Sequence, residues 1–112
     1  MTNRMPQVNA ELQKAISTIL SQNIEVPFEY MISIIQVDCA PSLRTAKIYV
    51  SVLPFNKKDE GLGFLIRQKN EIRGLLGKKI HLKFTPDLTF IFDDREEFAD
   101  QIYTTLDEIR ED

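Results

Sequence analysis

The sequence predicts an α+β domain in which a three-stranded sheet packs against helices, in the order helix, strand, strand, kinked helix, strand, helix. Two kinds of apolar spacing lead to this prediction. Near the N-terminus apolar residues recur at intervals of three and four, as they do along one side of an amphipathic helix. Over residues 46–52 they instead occupy every second position, as they do on one face of a strand.

The first three elements follow from this spacing. A helix is predicted over residues 6–22, and Pro27 prevents its continuation because proline lacks an amide hydrogen. A strand is predicted over residues 31–40, where the apolar positions change parity at Ile35 and Gln36, which indicates a β-bulge. The buried face of its hairpin partner is predicted to consist of Ala46, Ile48, Val50 and Val52.

The second helix is predicted to be kinked. Its apolar residues form two groups of equal spacing, ten residues apart: Leu62, Leu65 and Ile66, then Ile72, Leu75 and Leu76. Ten residues at about 100° each rotate the second group by roughly 80°, so one straight helix cannot bury both. We therefore expect a kink near Gln68, Lys69 and Asn70. Gly77 is expected to end the helix, because glycine adopts left-handed geometry without steric cost.

A third strand and a final helix complete the domain. Apolar residues alternate from Ile80 to Phe92, and Pro86 within this run implies an edge strand or a bulge. Residues 93–112 are rich in acidic residues and contain an apolar helical stripe, so we expect an acidic C-terminal helix. The stripe consists of Phe98, Ile102, Leu106 and Ile109.

The composition fits one globular domain spanning residues 1–112. Of these residues 43% are hydrophobic and 28% are charged, which is typical of soluble proteins. No apolar run approaches the roughly 18 residues of a membrane span, and no signal peptide is recognisable. We therefore expect a cytoplasmic protein without a membrane partner. One cysteine and one histidine argue against a disulfide, a metal site or a cofactor.

The charge is unevenly distributed. The net charge is −3, but residues 1–92 carry 12 Lys and Arg against 8 Asp and Glu, a net +4, whereas residues 93–112 carry 2 against 9, a net −7. Residues 57–83 alone carry 8 basic and 3 acidic side chains, a net +5. This local positive field can attract a polyanion, although such a run of charges is also typical of a solvated helix face.

No catalytic pattern is recognisable in the sequence. We find no nucleophile with a base, no paired carboxylates, no metal cluster and no phosphate-binding loop. The acidic residues at the start of the final helix, at 93, 94, 96 and 97, are more typical of capping and dipole compensation than of a divalent-ion site. We therefore expect neither an enzyme nor a small-molecule substrate.

Four strings spread over most of the chain carry a family resemblance. They are Glu11-Leu12-Gln13-Lys14, Leu43-Arg44-Thr45-Ala46-Lys47-Ile48-Tyr49-Val50-Ser51, Ile72-Arg73-Gly74-Leu75-Leu76-Gly77-Lys78 and Pro86-Asp87-Leu88-Thr89-Phe90. In this order and spacing they resemble the ribosome-binding factor A family, bacterial factors in small-subunit assembly. The resemblance implies a type II KH-like fold, in which a kinked helical pair replaces the usual Gly-x-x-Gly loop. It also implies binding of the immature 30S particle near the decoding region and support of 16S rRNA processing and late maturation, especially in the cold.

The chain departs from the family pattern at three places. Residues 68–70 read Gln-Lys-Asn where the family kink usually reads Ala-x-Gly. Residues 26–28 read Val-Pro-Phe where the family favours Asp-Pro-Arg, so Phe28 takes the place of a cation. The acidic residues 93–112 differ from the basic tails of many relatives, which argues against a contact between the tail and RNA.

The resemblance and the basic segment together predict a surface that binds RNA through phosphates and 2′-hydroxyls. We expect Arg67, Lys69 and Arg73 to lie across the kink. Asn70 is expected to offer its amide to a base edge or a phosphate. The full set of predicted RNA-binding residues is Arg44, Lys47, Arg67, Lys69, Asn70, Arg73, Lys78, Lys79 and Lys83.

The expected partners are 16S rRNA and the free small ribosomal subunit, bound by a monomer. Two other functions are compatible with the residues. The acidic C-terminal helix would suit a protein-binding module that docks on a basic ribosomal protein. A KH-like domain would also suit another structured RNA, since a fold alone does not fix a function.

Overall fold

The computed structural model describes residues 4–82 and 84–93. They form helix α1 (Met5–Gln22), strands β1 (Met31–Cys39) and β2 (Thr45–Leu53), a short 3₁₀ turn (Phe55–Lys57), helix α2 (Lys58–Lys79) and strand β3 (Asp87–Phe92). The strands form one sheet in the order β1-β2-β3, and both helices pack against it. The predicted α+β architecture is therefore confirmed, and its KH-like description is consistent with this arrangement.

The sheet combines an antiparallel pair with a parallel pair. β1 runs antiparallel to β2, and β3 runs parallel to β2 along its other edge, with Asp87 opposite Thr45. The register of β1 shifts between Ile34 and Gln36, which confirms the predicted bulge. The alternation predicted for β2 is also confirmed, because its inward residues are at most 1% exposed: Ala46, Ile48, Val50 and Val52.

Helix α1 packs on the sheet and closes part of the outer edge of β1. Its buried residues confirm most of the predicted stripe, and they are Leu12, Ala15, Ile16, Ile19 and Leu20. Gln13 donates hydrogen bonds from Nε2 to the carbonyls of Ile34 and Ile35 at 3.4 and 3.3 Å. Asn9 Oδ1 accepts a hydrogen bond from the amide of Cys39 at 2.9 Å. These side chains satisfy main-chain groups that face away from β2.

Helix α2 continues without interruption from Lys58 to Lys79, so the kink predicted near residues 68–70 does not break the helix. Among the described non-glycine residues only Leu43 has a positive φ, so Asn70 does not adopt left-handed geometry. The predicted grouping placed Ile66 on a buried face, whereas Ile66 is 61% exposed. The buried residues of the helix are Gly61, Phe64, Leu65, Ile72 and Leu76. At about 100° per residue these positions form one stripe, so burial requires no kink.

Gly77 does not end α2, contrary to prediction. The helix continues to Lys79, and Ile80 after it has an extended backbone. Gly77 serves close packing instead, because a Cβ built on it would lie 2.8 Å from Oγ1 of Thr85. The absence of a side chain at residue 77 therefore lets the connection to β3 lie against the last turns of the helix.

Strand β3 begins later than predicted, at Asp87. The alternating apolar residues before Pro86 belong to a connection rather than to the sheet. Ile80 and Leu82 of this connection still pack partly buried against the core, which explains why their spacing imitates that of a strand. Lys83 and, beyond Asp93, the predicted acidic C-terminal helix lie outside the described residues.

Candidate nucleic-acid interface

Arg73 of α2 holds the segment that leads into β3. Its Nε donates a hydrogen bond to the carbonyl of Pro86 at 2.9 Å, and its Nη2 donates one to the carbonyl of Thr85 at 3.0 Å. The guanidinium is planar and points its N–H groups in fixed directions, which suits two successive carbonyls. Arg73 is thus a structural clamp that also places a permanent positive charge at the beginning of β3.

Cations from two distant parts of the sequence lie near the start of β3. Lys69, one helical turn before Arg73, has its Nζ 3.7 Å from Oδ1 of Asp87. The amide of Asp87 donates a hydrogen bond to the carbonyl of Arg44 at 2.8 Å, and Arg44 is exposed. We call Arg44, Lys69, Arg73 and Asp87 the Asp87 corner. Three cations and one carboxylate give the corner a net positive charge.

The hairpin between β1 and β2 positions Arg44. The amide of Leu43 donates to the carbonyl of Ala40 at 2.8 Å, and Leu43 has a φ of 62°. The amide of Arg44 then donates to Oγ of Ser42 at 3.3 Å. This left-handed residue reverses the chain, so Arg44 enters β2 directly beside the start of β3.

Lys47 lies next to the Asp87 corner, on the face of the sheet that points away from the core. It is exposed, whereas its neighbours Ala46 and Ile48 are buried. In the sheet register Lys47 stands opposite Asp38 of β1 and Thr89 of β3. The carboxylate of Asp38 offsets part of its charge, so Lys47 extends the positive surface less than its sequence position suggests.

The other predicted residues of α2 do not join the corner. Arg67 precedes Lys69 by two positions, or about 200° around the helix, so it lies on the opposite flank. Lys78 lies about 20° from Arg67 by the same geometry, and Asn70 is exposed on the outer side. The uninterrupted helix therefore distributes Arg67, Asn70 and Lys78 around its axis.

A second basic group surrounds the end of α2. Lys79, Lys14 of α1 and His81 line a shallow cleft of about 550 Å³ together with Glu11. The predicted set does not include Lys14 or His81, because no spacing in the sequence places α1 beside the end of α2. The string that contains Lys14 was the available signal, since it forms part of the family resemblance.

Within residues 4–82 and 84–93, no group of three or more His, Cys, Asp or Glu side chains could hold a metal ion. Nor is any helix in those two stretches long and apolar enough to cross a membrane.

Known proteins resemble this chain over most of its length. A family model described as ribosome-binding factor A matches residues 4–106. The ribosome-binding factor A of Clostridium acetobutylicum is 37% identical over 109 residues, which cover 96% of this chain and 90% of that relative.

Two solved structures have a similar fold. The crystal structure of ribosome-binding factor A from Thermus thermophilus has a TM-score of 0.69 at 16% identity, and the match covers 78% of this chain and 93% of that one. A homology model of ribosome-binding factor A from the same organism, fitted into a cryo-EM map of a 30S complex, has a TM-score of 0.63 at 19% identity, over 77% of this chain and 91% of that one. Together with the sequence matches, these findings establish that the chain belongs to the ribosome-binding factor A family.

Proposed function

We propose that this chain binds the free, immature small ribosomal subunit and supports 16S rRNA processing and late maturation. Membership of the ribosome-binding factor A family supports the proposal, as does the relative fitted into a 30S complex. The observation that carries it is the Asp87 corner, where Arg44, Lys69 and Arg73 converge. On this proposal the protein acts in the cytoplasm as a monomeric single domain, without catalysis.

The corner is suited to exchange its internal ion pair for a phosphate. The 3.7 Å pair between Lys69 and Asp87 is weak, because the two side chains are 31% and 56% exposed to solvent. An rRNA phosphate can therefore replace Asp87 as the partner of Lys69 at small cost. Arg44 adds an exposed cation beside it, and Arg73 contributes charge while it keeps its hydrogen bonds to the backbone.

Two separated basic surfaces suit a structured RNA better than a single phosphate. The Asp87 corner lies between α2 and the starts of β2 and β3, whereas the cleft at Lys14, Lys79 and His81 lies between α1 and the end of α2. A folded RNA presents phosphates and 2′-hydroxyls across a broad minor groove, so it can contact both surfaces at once. Lys47, Arg67, Asn70, Lys78 and Lys83 remain predicted contributors to such contacts.

Sedimentation of cell extract tests the proposal. We expect the protein to travel with free small subunits, and we expect its deletion to leave unprocessed 16S precursor, with the stronger defect at low growth temperature. The proposal fails if the protein stays at the top of the gradient and the deletion strain processes 16S rRNA normally. Binding to a different RNA fraction would favour the function of a KH-like domain for another structured RNA.

The charge of residues 93–112 favours a second candidate function, docking of this acidic segment on a basic ribosomal protein. The two candidates predict opposite rankings of two variants. Docking through the corner predicts that Lys69→Glu weakens subunit binding more than truncation after Asp93 does. Docking through the segment predicts that the truncation has the larger effect.

A further inference from the structure

A second surface, far more apolar than the Asp87 corner, lies where the end of α1 meets the first half of β1. It is an open groove of about 940 Å³ lined by Leu20, Val26, Ile32 and Ile34 among others. Three large apolar side chains that face solvent also line it, namely Phe28 (97% exposed), Met31 (65%) and Leu53 (43%). Isolated exposed apolar residues are ordinary, but a contiguous group of them marks an interaction surface.

A turn between α1 and β1 presents Phe28 to solvent. The amide of Tyr30 donates to the carbonyl of Pro27 at 3.4 Å, which closes the turn, and Val26 packs against the core. Tyr30 is buried, and its ring packs edge-on against Phe64 of α2 at 6.3 Å between centroids. Phe28 therefore lies in a short turn between Val26 and Tyr30, which both pack in or against the core.

The same groove exposes main-chain hydrogen-bonding groups of β1. Along an antiparallel edge strand, alternate residues direct their N–H and C=O groups away from the sheet. The carbonyl of Ile34 faces outward, where Gln13 donates to it, so Ile32 shares this outer edge. In the part of the chain that the structure describes, no helix side chain serves Ile32 as Gln13 serves Ile34. An extended protein segment can bind to such an edge.

The charge of the groove opposes nucleic acid. Of the described residues that line it, Glu29 is the one charged side chain, and the exposed Glu25 lies just before Val26 in the chain. A phosphate backbone would be repelled, whereas Lys and Arg side chains would be attracted.

We infer that this surface, here called the Phe28 groove, docks a protein segment that combines apolar side chains with Lys and Arg. The inference rests on the proposed function, because the small subunit is the particle that would present the segment. Apolar side chains of the segment cover Phe28, Met31 and Leu53, its backbone follows Ile32, and its cations face Glu25 and Glu29. The chain thus holds the particle by two chemically distinct surfaces: the Asp87 corner on rRNA and the Phe28 groove on protein.

Site-specific photo-crosslinking tests the inference on the full chain bound to purified free small subunits. One protein carries p-benzoylphenylalanine in place of Phe28, and a control carries it in place of Thr45, which is exposed and opposite Asp87. We expect the probe at position 28 to give an adduct that survives ribonuclease, because the adduct joins this chain to a ribosomal protein. The probe at position 45 should give an adduct that ribonuclease removes.

Each other outcome overturns the inference. An rRNA adduct at position 28 would assign the groove to nucleic acid, and a crosslinked pair of this chain would assign it to a second copy. Crosslinking from position 45 without any from position 28 would leave the groove unused and the proposed function intact. If neither probe reacts and the protein does not sediment with the subunits, the proposed function fails together with the inference.

Affinity measurements also distinguish a cationic protein partner from RNA, because Glu29→Lys would weaken binding of the protein and strengthen binding of the RNA. We expect Phe28→Ala to weaken subunit binding about tenfold or more, as truncation of a central aromatic residue does in protein interfaces, without changing the salt dependence. Glu29→Lys should also weaken binding. The matched control is Ile66→Ala, because Ile66 is 61% exposed on α2 away from the groove. An unchanged affinity of Phe28→Ala, or tighter binding of Glu29→Lys, would contradict the inference.

Discussion

The guanidinium of Arg73 donates one hydrogen bond to the main-chain carbonyl of Thr85 at 3.0 Å and a second to that of Pro86 at 2.9 Å. Strand β3 starts only at Asp87 because Asp87 stands opposite Thr45, the first residue of β2, so the segment before it has no strand to pair with. The two hydrogen bonds of Arg73 help to set the position of Asp87, and Lys69 and Arg44 lie beside it.

Removal of the Arg73 clamp should destabilise the domain. We expect Arg73→Met to lower the free energy of unfolding by about 2 kcal/mol, because it leaves two carbonyls without their charged donor. Lys69→Met, one turn earlier, should cost less than about 1 kcal/mol, since it removes only a solvent-accessible ion pair. Urea denaturation followed by circular dichroism measures both, and equal losses would show that Arg73 does not act as a clamp.

Two glycines of α2 should respond in opposite ways to replacement by alanine. A Cβ at Gly74 would meet no atom within 4 Å, so Gly74→Ala should stabilise the helix by about 0.5–1 kcal/mol. A Cβ at Gly77 would lie 2.8 Å from Oγ1 of Thr85, so Gly77→Ala should lose that gain or destabilise the protein. The added variant Thr85→Ala should restore part of the gain, which thermal denaturation of the double-mutant cycle measures. Equal stabilisation by both glycine replacements would show that no close approach exists at Gly77.

The single cysteine should be unreactive in the folded protein. Cys39 is 3% exposed, and burial together with the neighbouring charge of Asp38 raises the pKa of its thiol above the ordinary value. Native protein should therefore react with iodoacetamide at least about a hundredfold more slowly than protein unfolded in urea, because labelling requires opening of the fold. Mass spectrometry of timed samples measures this ratio.

The raised pKa of Cys39 also makes the stability of the fold depend on pH. The fold favours the neutral thiol, so this contribution is present below the pKa of the unfolded thiol and is lost as the pH rises above it. The free energy of unfolding should consequently fall more steeply in alkaline solution for the natural protein than for Cys39→Ala. Parallel pH profiles for the two proteins would contradict the assignment.

Elements whose burial follows from local spacing alone could be predicted from the sequence. The alternation in β2 identifies its buried residues because the strand lies in the middle of the sheet with helices on one face. The parity change at Ile35 correctly predicts the bulge, because a bulge moves the following side chains to the other face. In both cases local spacing alone decides the outcome.

The errors arise where a distant contact decides the structure. Two different apolar groupings were possible in α2, and only contact with the sheet selects Phe64 and Leu65 over Leu62 and Ile66. The segment before Pro86 alternates like a strand, yet it lies beyond the start of β2 and has no strand to pair with. Sequence spacing contains no information about either arrangement.

The candidate site was predictable in its residue types but not in its arrangement. Charge counting correctly draws attention to the basic segment, and the family resemblance adds Arg44. Neither shows that Lys69 and Arg44 meet at Asp87 or that Arg67 points to the other flank. The meeting at Asp87 depends on the parallel pairing of β2 with β3, which connects residues more than forty positions apart, and the flank of Arg67 depends on an unbroken α2.

The salt dependence of binding to purified free small subunits tests the central claim most directly. The measurement compares the natural protein with the double variant Arg44→Glu and Lys69→Glu over about 50–200 mM salt. The matched control reverses Lys57 and Lys58, two cations that follow the opposite end of β2. We expect the corner variant to bind more weakly, with a log–log slope smaller by about two, while the control keeps the natural slope. An unchanged slope in the corner variant, or an equal loss in the control, would contradict the claim that the Asp87 corner contacts rRNA phosphates.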